Sequence, residues 1–236
     1  MNLRRISMLL GLATFALASA ANAAVHRVFP GESIQAAIDM ANPGDTVLVE
    51  PGIYQETGNG LYGLRIATDN LRLIGKVKKG RGEAGKVRLI KNEDQETGVY
   101  AAPAGCDYKV ADDSPEGAEC RSRELQDFYI RGFSVEEFPV NGIQTRWVNG
   151  FEFVRNVSVN NRNNGIYPTL SANGLVRNNE SYGSWDTAMW VAGSENVRVI
   201  GNELYGSVIG FEITVSNNVQ VMHNEIYDNI VGVGLF

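Results

Sequence analysis

With 236 residues, 44% of them hydrophobic and 20% charged, the chain can bury a sizeable core in one or two domains, which excludes wholesale disorder. Glycine is over-represented, 26 of 236 residues against a usual ~7%, and 16 of the 22 asparagines fall between Asn141 and Asn229. Both residues tolerate positive φ and supply turns, so barrels, sandwiches and solenoids remain and a helical bundle does not.

The elements, in chain order, begin with an export signal. Arg4 and Arg5, an apolar run from Ile6 to Ala20 and the small residues Ala21-Asn22-Ala23 have the layout of a secretory signal peptide over residues 1–23. The apolar run is short for a membrane span, and no other segment of the chain is apolar for long enough. Removing residues 1–23 takes two arginines and no acids from a chain of net charge −6, leaving −8 over residues 24–236. That balance argues against nucleic acid as a partner. A secreted or periplasmic protein is expected, most simply a bacterial one.

One segment reads as helix, residues 33–42. Ser33 can cap it, Ile34, Ala37, Ile38 and Ala41 follow at helical spacing, and Asn42-Pro43-Gly44 stops it. Short strands are predicted at Thr46–Glu50, Leu64–Ile66, Leu71–Ile74 and Val87–Ile90, with a Lys- and Gly-rich solvated loop over Lys76–Lys86. Cys106 and Cys120 are the only cysteines. In an exported protein they are expected to form a disulfide closing a polar surface insertion, a simpler reading than a metal site with no histidine nearby.

From Asp127 the chain repeats. Segments 127–148, 149–171, 172–194, 195–217 and 218–236 can be overlaid, with the clearest register at Asn179-Glu180, Asn202-Glu203 and Asn224-Glu225. A period of 22–24 residues, built of short alternating runs and Asn or Gly turns with no room for a helix, gives three short strands per rung. The expected architecture is all-β: a right-handed parallel β-helix solenoid with a short N-terminal capping helix. Equivalent residues then stack about 4.8 Å apart. Ile143, Ile166, Met189, Phe211 and Val233 should form one inward ladder, and Thr145, Pro168, Val191, Ile213 and Leu235 a second. Asn156, Asn179, Asn202 and Asn224 should form an amide ladder at one turn. Phe236 falls inside an apolar strand with no cap after it, so the solenoid is expected to continue beyond this sequence, or else to pair its last rung with another chain.

The stretch Ser33-Ile34-Gln35-Ala36-Ala37-Ile38, followed by Gly44-Asp45-Thr46-Val47-Leu48-Val49 and Pro51-Gly52-Ile53-Tyr54, resembles the N-terminal cap and first rung of pectate-lyase-like (pectin lyase-like) β-helix proteins. The rungs around Asn164–Pro168, Ser184–Val191 and Val208–Ile213 are similar to exported parallel β-helix repeat proteins. The resemblance implies the fold over most of the chain. For function it implies only a range: polysaccharide lyases, glycoside hydrolases, alginate epimerases, surface proteins and accessory proteins. The epimerase motif, Asp-Pro-His-Asp, is replaced by Tyr167-Pro168-Thr169-Leu170, which lacks the base and its partner.

Function must come from a site. Gln144, Tyr167, Trp190 and Glu212 share an outward column, and with Trp185 they are candidates for binding a polysaccharide, an acidic glycan among the options, because aromatic rings suit the C–H faces of sugars. Glu180, Glu203 and Glu225 stack in another outward column, where like charges call for screening and Ca²⁺ is a conceivable ligand. A solvated edge is the plainer alternative. Asp186 is an acid unique within its column, which otherwise holds Val140, Asn163, Val208 and Ile230, so it is the leading catalytic candidate. Glu212 is its candidate partner, although extended geometry would put it about 14 Å away. A lyase would also need a basic residue, for which Arg146, Arg155, Arg162 and Arg177 are available. His223 reads as a surface turn residue. The expectation is a secreted β-helix that binds a polysaccharide and cleaves it as a lyase or hydrolase; the competing expectation is a non-catalytic binding or scaffold module.

Overall fold

The computed structural model describes residues 23–77, 87–92 and 94–236. Residues 1–22 of the expected signal peptide and most of the expected Lys76–Lys86 loop lie outside them. Among the described residues no helix is long and apolar enough to cross a membrane.

Over the described residues the chain winds as a solenoid of three parallel sheets, whose strands among those residues are as follows. Sheet 1 has eight strands: Val25–Val28, Thr46–Val49, Arg72–Gly75, Leu125–Arg131, Val148–Val154, Ala172–Arg177, Glu195–Ile200 and Asn217–Met222. Sheet 2 has seven three- or four-residue strands: Gly52–Tyr54, Val87–Ile90, Phe133–Glu136, Val157–Val159, Glu180–Tyr182, Glu203–Tyr205 and Glu225–Tyr227. Sheet 3 has seven: Tyr62–Ile66, Thr97–Ala101, Asn141–Arg146, Asn164–Thr169, Thr187–Ala192, Ile209–Thr214 and Val231–Leu235. From Thr46 onward each rung visits the three sheets in that order. The rungs therefore start well before Asp127, and the earlier ones escape the repeat only because insertions interrupt their period.

The expected ladders form. Ile143, Ile166, Met189, Phe211 and Val233 pair in register, and Leu64 and Val99 extend the column upstream. All but Val233 are buried to 1% exposure or less. Thr145 pairs with Pro168, and Val191, Ile213 and Leu235 follow one another. The helix spans Ile34–Met40, with the Ser33 hydroxyl accepting from the Ala36 N–H at 3.0 Å. Ile34, Ala37 and Ile38 close the first rung's core, so the sequence reading of a cap holds.

The corners use part of the glycine and asparagine content, and other residue types share them. Between sheets 1 and 2 the chain turns at left-handed residues Gly132, Arg155, Asn178, Gly201 and His223. Between sheets 2 and 3 it turns at Glu137, Asn160, Gly183, Gly206 and Asp228, and between sheets 3 and 1 at Trp147, Leu170, Gly193 and Val215. Glycine, asparagine and aspartate are the residues that take this conformation at least cost. Immediately after the first corner the amides of Asn156, Asn179, Asn202 and Asn224 stack in an unbroken ladder.

Cys106 and Cys120 form a disulfide within an insertion between the sheet 3 strand Thr97–Ala101 and the sheet 1 strand Leu125–Arg131. The insertion holds a second helix, Pro115–Ser122, which the sequence reading missed. The helix lacks an apolar face, so periodicity is silent there. Its start was nevertheless written in Ser114-Pro115: the Ser114 hydroxyl accepts from the Gly117 N–H at 3.0 Å, and proline occupies the first turn.

Candidate functional site

The outer face of sheet 3 gathers four of the expected site residues, Gln144, Tyr167, Trp190 and Glu212, because one position per rung projects into a single column. Strand pairing gives that column as Arg65, Tyr100, Gln144, Tyr167, Trp190 and Glu212. Its upstream half is covered. The insertion folds back over it, packing Tyr108 and Val110 with Tyr62, Tyr100 and Trp147. The Tyr62 hydroxyl donates to Asp107 at 2.9 Å, Arg146 donates to the Tyr108 carbonyl, and the Arg65 guanidinium donates to the Ala102, Pro103 and Cys106 carbonyls. The expectation that Gln144 is an outward contact residue is corrected by this cover. Gln144 is 2% exposed, and its carbonyl accepts from the Asn141 amide at 2.9 Å.

The face opens at Tyr167. The Tyr167 and Trp190 rings stack on one another, centroids 4.6 Å apart and planes within 14°, and the Trp190 indole N–H donates to the Thr214 hydroxyl at 2.9 Å. The expectation of two flat sugar platforms changes accordingly. Parallel strands bring equivalent side chains into register about 4.8 Å apart, so the rings cover each other and present their edges outward.

The exposed plane is Trp185, 67% exposed in the turn between sheets 2 and 3. The Arg162 guanidinium lies over one face of its ring at 4.2 Å, one rung upstream. Together they line a shallow recess of about 380 Å³ with Asp186, Asn163, Val140 and Pro139. That volume is within the usual range of small-molecule sites. Sequence reasoning named Arg162 as one of four interchangeable arginines. The 23-residue period was the missed signal, since it sets Arg162 directly beneath Trp185. Arg146 instead lies over Trp147 at 4.2 Å, and its bond to the Tyr108 carbonyl helps hold the insertion down.

Glu212 is linked to the turn that carries Asp186 through Thr187. The Glu212 carboxylate turns back toward the turn, accepting from the hydroxyl of Thr187, the neighbour of Asp186, at 3.0 Å. Glu212 is only 9% exposed, so it is a tied group rather than an open acid. Tyr167 senses both: burial pushes its hydroxyl pKa up, and the carboxylates of Glu212 and Asp186 add to the rise while Thr169 and Arg146 oppose it. Tyr167 thus keeps its proton at neutral pH as a hydrogen-bond donor beside two acids.

The glutamate column lies on sheet 2. Glu180, Glu203 and Glu225 do stack in register, beside a second stack of Tyr182, Tyr205 and Tyr227. The Tyr205 hydroxyl donates to Glu180 and the Tyr227 hydroxyl to Glu203, each at 2.7 Å. No three His, Cys, Asp or Glu side chains among the described residues converge in a way that could hold a metal ion. The acids lie in a line along the solenoid, each rung offering one carboxylate, and two of them are engaged by tyrosines. These tyrosine contacts give the column the hydrogen bonding of a partly solvated edge. His223 is an exposed corner residue with φ +56°.

Residues 123–236 match the family model described as the right-handed beta helix region. The chain is a right-handed parallel β-helix. The crystal structure of pectate lyase Pel9A aligns at a TM-score of 0.57 and 15% identity, covering 84% of this chain and 55% of that one. A rhamnogalacturonan lyase aligns at 0.47 and 13%, covering 89% and 62%. The A-module of the Azotobacter vinelandii mannuronan C-5 epimerase AlgE6 aligns at 0.37 and 18%, covering 83% and 71%. At such identities the likeness is one of fold, and the β-helix spans about half the length of the pectate lyase. Among curated proteins none matches the chain by sequence.

Proposed function

We propose that this β-helix binds an acidic polysaccharide across the open part of sheet 3. The carrying observation is the Trp185–Arg162 pair at the mouth of the recess. An exposed indole offers a flat apolar plane to the C–H face of a sugar ring, and a guanidinium pairs with a carboxylate through a planar fork of donors. Asn163 adds an uncharged hydrogen-bonding group to the same recess. The fold likeness to a protein named a pectate lyase agrees with a sugar chain as ligand. Export to the periplasm or the medium, where such chains are met, remains part of this reading, and a calcium requirement is left to the assay buffer.

Calorimetric titration with uronic-acid hexamers, from pectate and from alginate, in buffers with and without calcium tests the proposal. Binding is expected to weaken at least about tenfold in Trp185→Ala, the value of one aromatic contact. Arg162→Gln should weaken acidic ligands more than neutral ones. Absence of binding to every hexamer at millimolar concentration, with and without calcium, would sink the idea.

A second reading, cleavage, is favoured by Asp186, a partly exposed acid that lines the same recess as Trp185 and Arg162. Asp186 is more accessible than Glu212 and is the residue assigned to act on a bound chain. Appearance of unsaturated product absorbance, or of new reducing ends, lost in Asp186→Asn, supports this reading. Binding without either product leaves the protein a non-catalytic binding module.

A further inference from the structure

The outer face of sheet 1 carries a second and larger groove, of about 630 Å³, on a different side of the solenoid from Trp185. Its origin is a kink repeated in register. Each of five consecutive strands contains one left-handed residue at the same position: Asp127, Gly150, Asn173, Asn196 and Asn218, with φ between +50° and +82°. The strands bend there, and the bend runs along the solenoid as a trough. One wall is an exposed amide ladder. Asn173 donates to Asn149 at 2.7 Å, Asn196 to Asn173 at 3.3 Å and Asn218 to Asn196 at 2.7 Å. The other wall is the outward column in which the Arg72 guanidinium lies over the Tyr129 ring at 4.1 Å, followed by Glu152, Leu175 and Arg198.

We propose that this trough binds an uncharged oligosaccharide. Its charges balance, Arg72 and Arg198 against Asp127 and Glu152, so it has no net attraction for an anion or a cation. Each amide of the ladder donates one N–H along the stack and keeps a second N–H and carbonyl lone-pair capacity for a ligand. One donor and one acceptor repeated per rung suit a chain of hydroxyl groups. Tyr129, held by Arg72, supplies an aromatic edge and a hydroxyl. The volume is that of an ordinary ligand site. The proposal is independent of the acidic-glycan reading, since no side chain is shared.

Titration of the intact protein with cellohexaose, maltohexaose and xylohexaose tests it. At least one should bind, with affinity reduced about tenfold in Tyr129→Ala. Asn196→Gly, which keeps the left-handed backbone and removes the amide, should also weaken binding. Tyr129→Phe, which keeps the packing and removes only the hydroxyl, serves if the alanine variant loses its circular dichroism spectrum. Uronate-hexamer affinity should be unchanged in these variants, and Trp185→Ala should spare the neutral ligand. The proposal is overturned if none of the three hexaoses binds at millimolar concentration, if Asn196→Gly and the tyrosine variants bind as well as the parent, or if Trp185→Ala alone abolishes binding.

A separate observation concerns the chain's start. The Asp45 carboxylate accepts from the Ala24 N–H at 2.7 Å and the Asn42 N–H at 2.9 Å, and meets the His26 ring nitrogen at 3.0 Å. The sequence expectation sets cleavage between Ala23 and Ala24. We infer that Asp45 is the docking site of the processed N-terminus. Hydrolysis of that peptide bond leaves the carboxyl group on Ala23 and an amine on Ala24, which takes up a proton and pairs with Asp45. Mass spectrometry of the exported protein should give Ala24 as its first residue. The processed protein should melt roughly 2–4 °C above the same protein acetylated at Ala24, the shift of about 1 kcal/mol in a domain this size, and the gap should close in Asp45→Asn. A different first residue, equal melting temperatures, or a gap that survives Asp45→Asn would overturn it.

Discussion

Replacing Asn179 by alanine should be among the costliest single changes outside the apolar core. Its side-chain carbonyl accepts from the Asn156 backbone N–H at 2.9 Å and from the Asn156 amide at 3.1 Å; its amide donates to the Phe153 carbonyl and to Asn202, both at 3.0 Å. The Asn156 amide retains the Ile130 carbonyl, and the Asn202 oxygen retains the Asn179 N–H. Two backbone groups, the Asn156 N–H and the Phe153 carbonyl, lose the bonds Asn179 gave them at a site 2% exposed. At ~1–3 kcal/mol per stranded buried group, the loss for the two is about 2–6 kcal/mol. Asn224 makes equivalent bonds to the Asn202 N–H and amide and to the Val199 carbonyl, but it is half-buried, and water can replace it. Asn224→Ala should therefore cost only about 1–2 kcal/mol. Urea unfolding of both variants measures the difference. Equal losses, or a cost below ~1 kcal/mol for Asn179→Ala, would refute the claim that burial of the stranded groups sets the energy.

Three further outcomes are expected. Asp45 is held at about 2, first by the His26 hydrogen bond and then by the Ala24 and Asn42 N–H groups; the stability it contributes is complete above its unfolded value of ~3.9 and is lost as pH falls from there toward 2. Asp45→Asn should flatten the stability–pH curve within that window, as read from denaturant midpoints. Tyr227 is raised to about 12, first by its hydrogen bond to Glu203, so its contribution is complete below ~10 and disappears as pH rises through 12. Spectrophotometric titration should show a tyrosine ionising there that is missing from Tyr227→Phe and shifted down in Glu203→Gln. Opening the Cys106–Cys120 bond, 14 residues apart, by replacing both with serine should cost about 3 kcal/mol. It should also loosen the cover on Tyr100, seen as a new fast-ionising tyrosine.

The fold was legible because a period is a long-range signal written locally. Ile143, Ile166 and Met189 fall at one phase of a 23-residue interval, and parallel pairing turns phase into contact. The asparagine ladder and the disulfide followed from the same arithmetic and from chemistry. The site was less legible, because phase gives the column and not what lies above it. Gln144 is buried beside an insertion whose docking on Tyr62 joins residues 45 and 46 apart. Tyr167 and Trp190 share a column, and that same fact makes them partners of each other before they can be platforms for a ligand. The helix Pro115–Ser122 has no apolar stripe, and the strand Gly52–Tyr54 is too short to show alternation.

The regular rise of the rungs makes each outer face a ruler graduated at about 4.8 Å. Tyr167, Trp190 and Glu212 are three successive marks on one edge, and the amides of Asn173, Asn196 and Asn218 are three on another. A polymer laid along such an edge stays in step only if its own repeat matches the interval; otherwise it drifts out of phase within a few marks. The places where the repetition breaks, Trp185 and Asp186 above all, are then the ones that decide where along the edge a chain comes to rest.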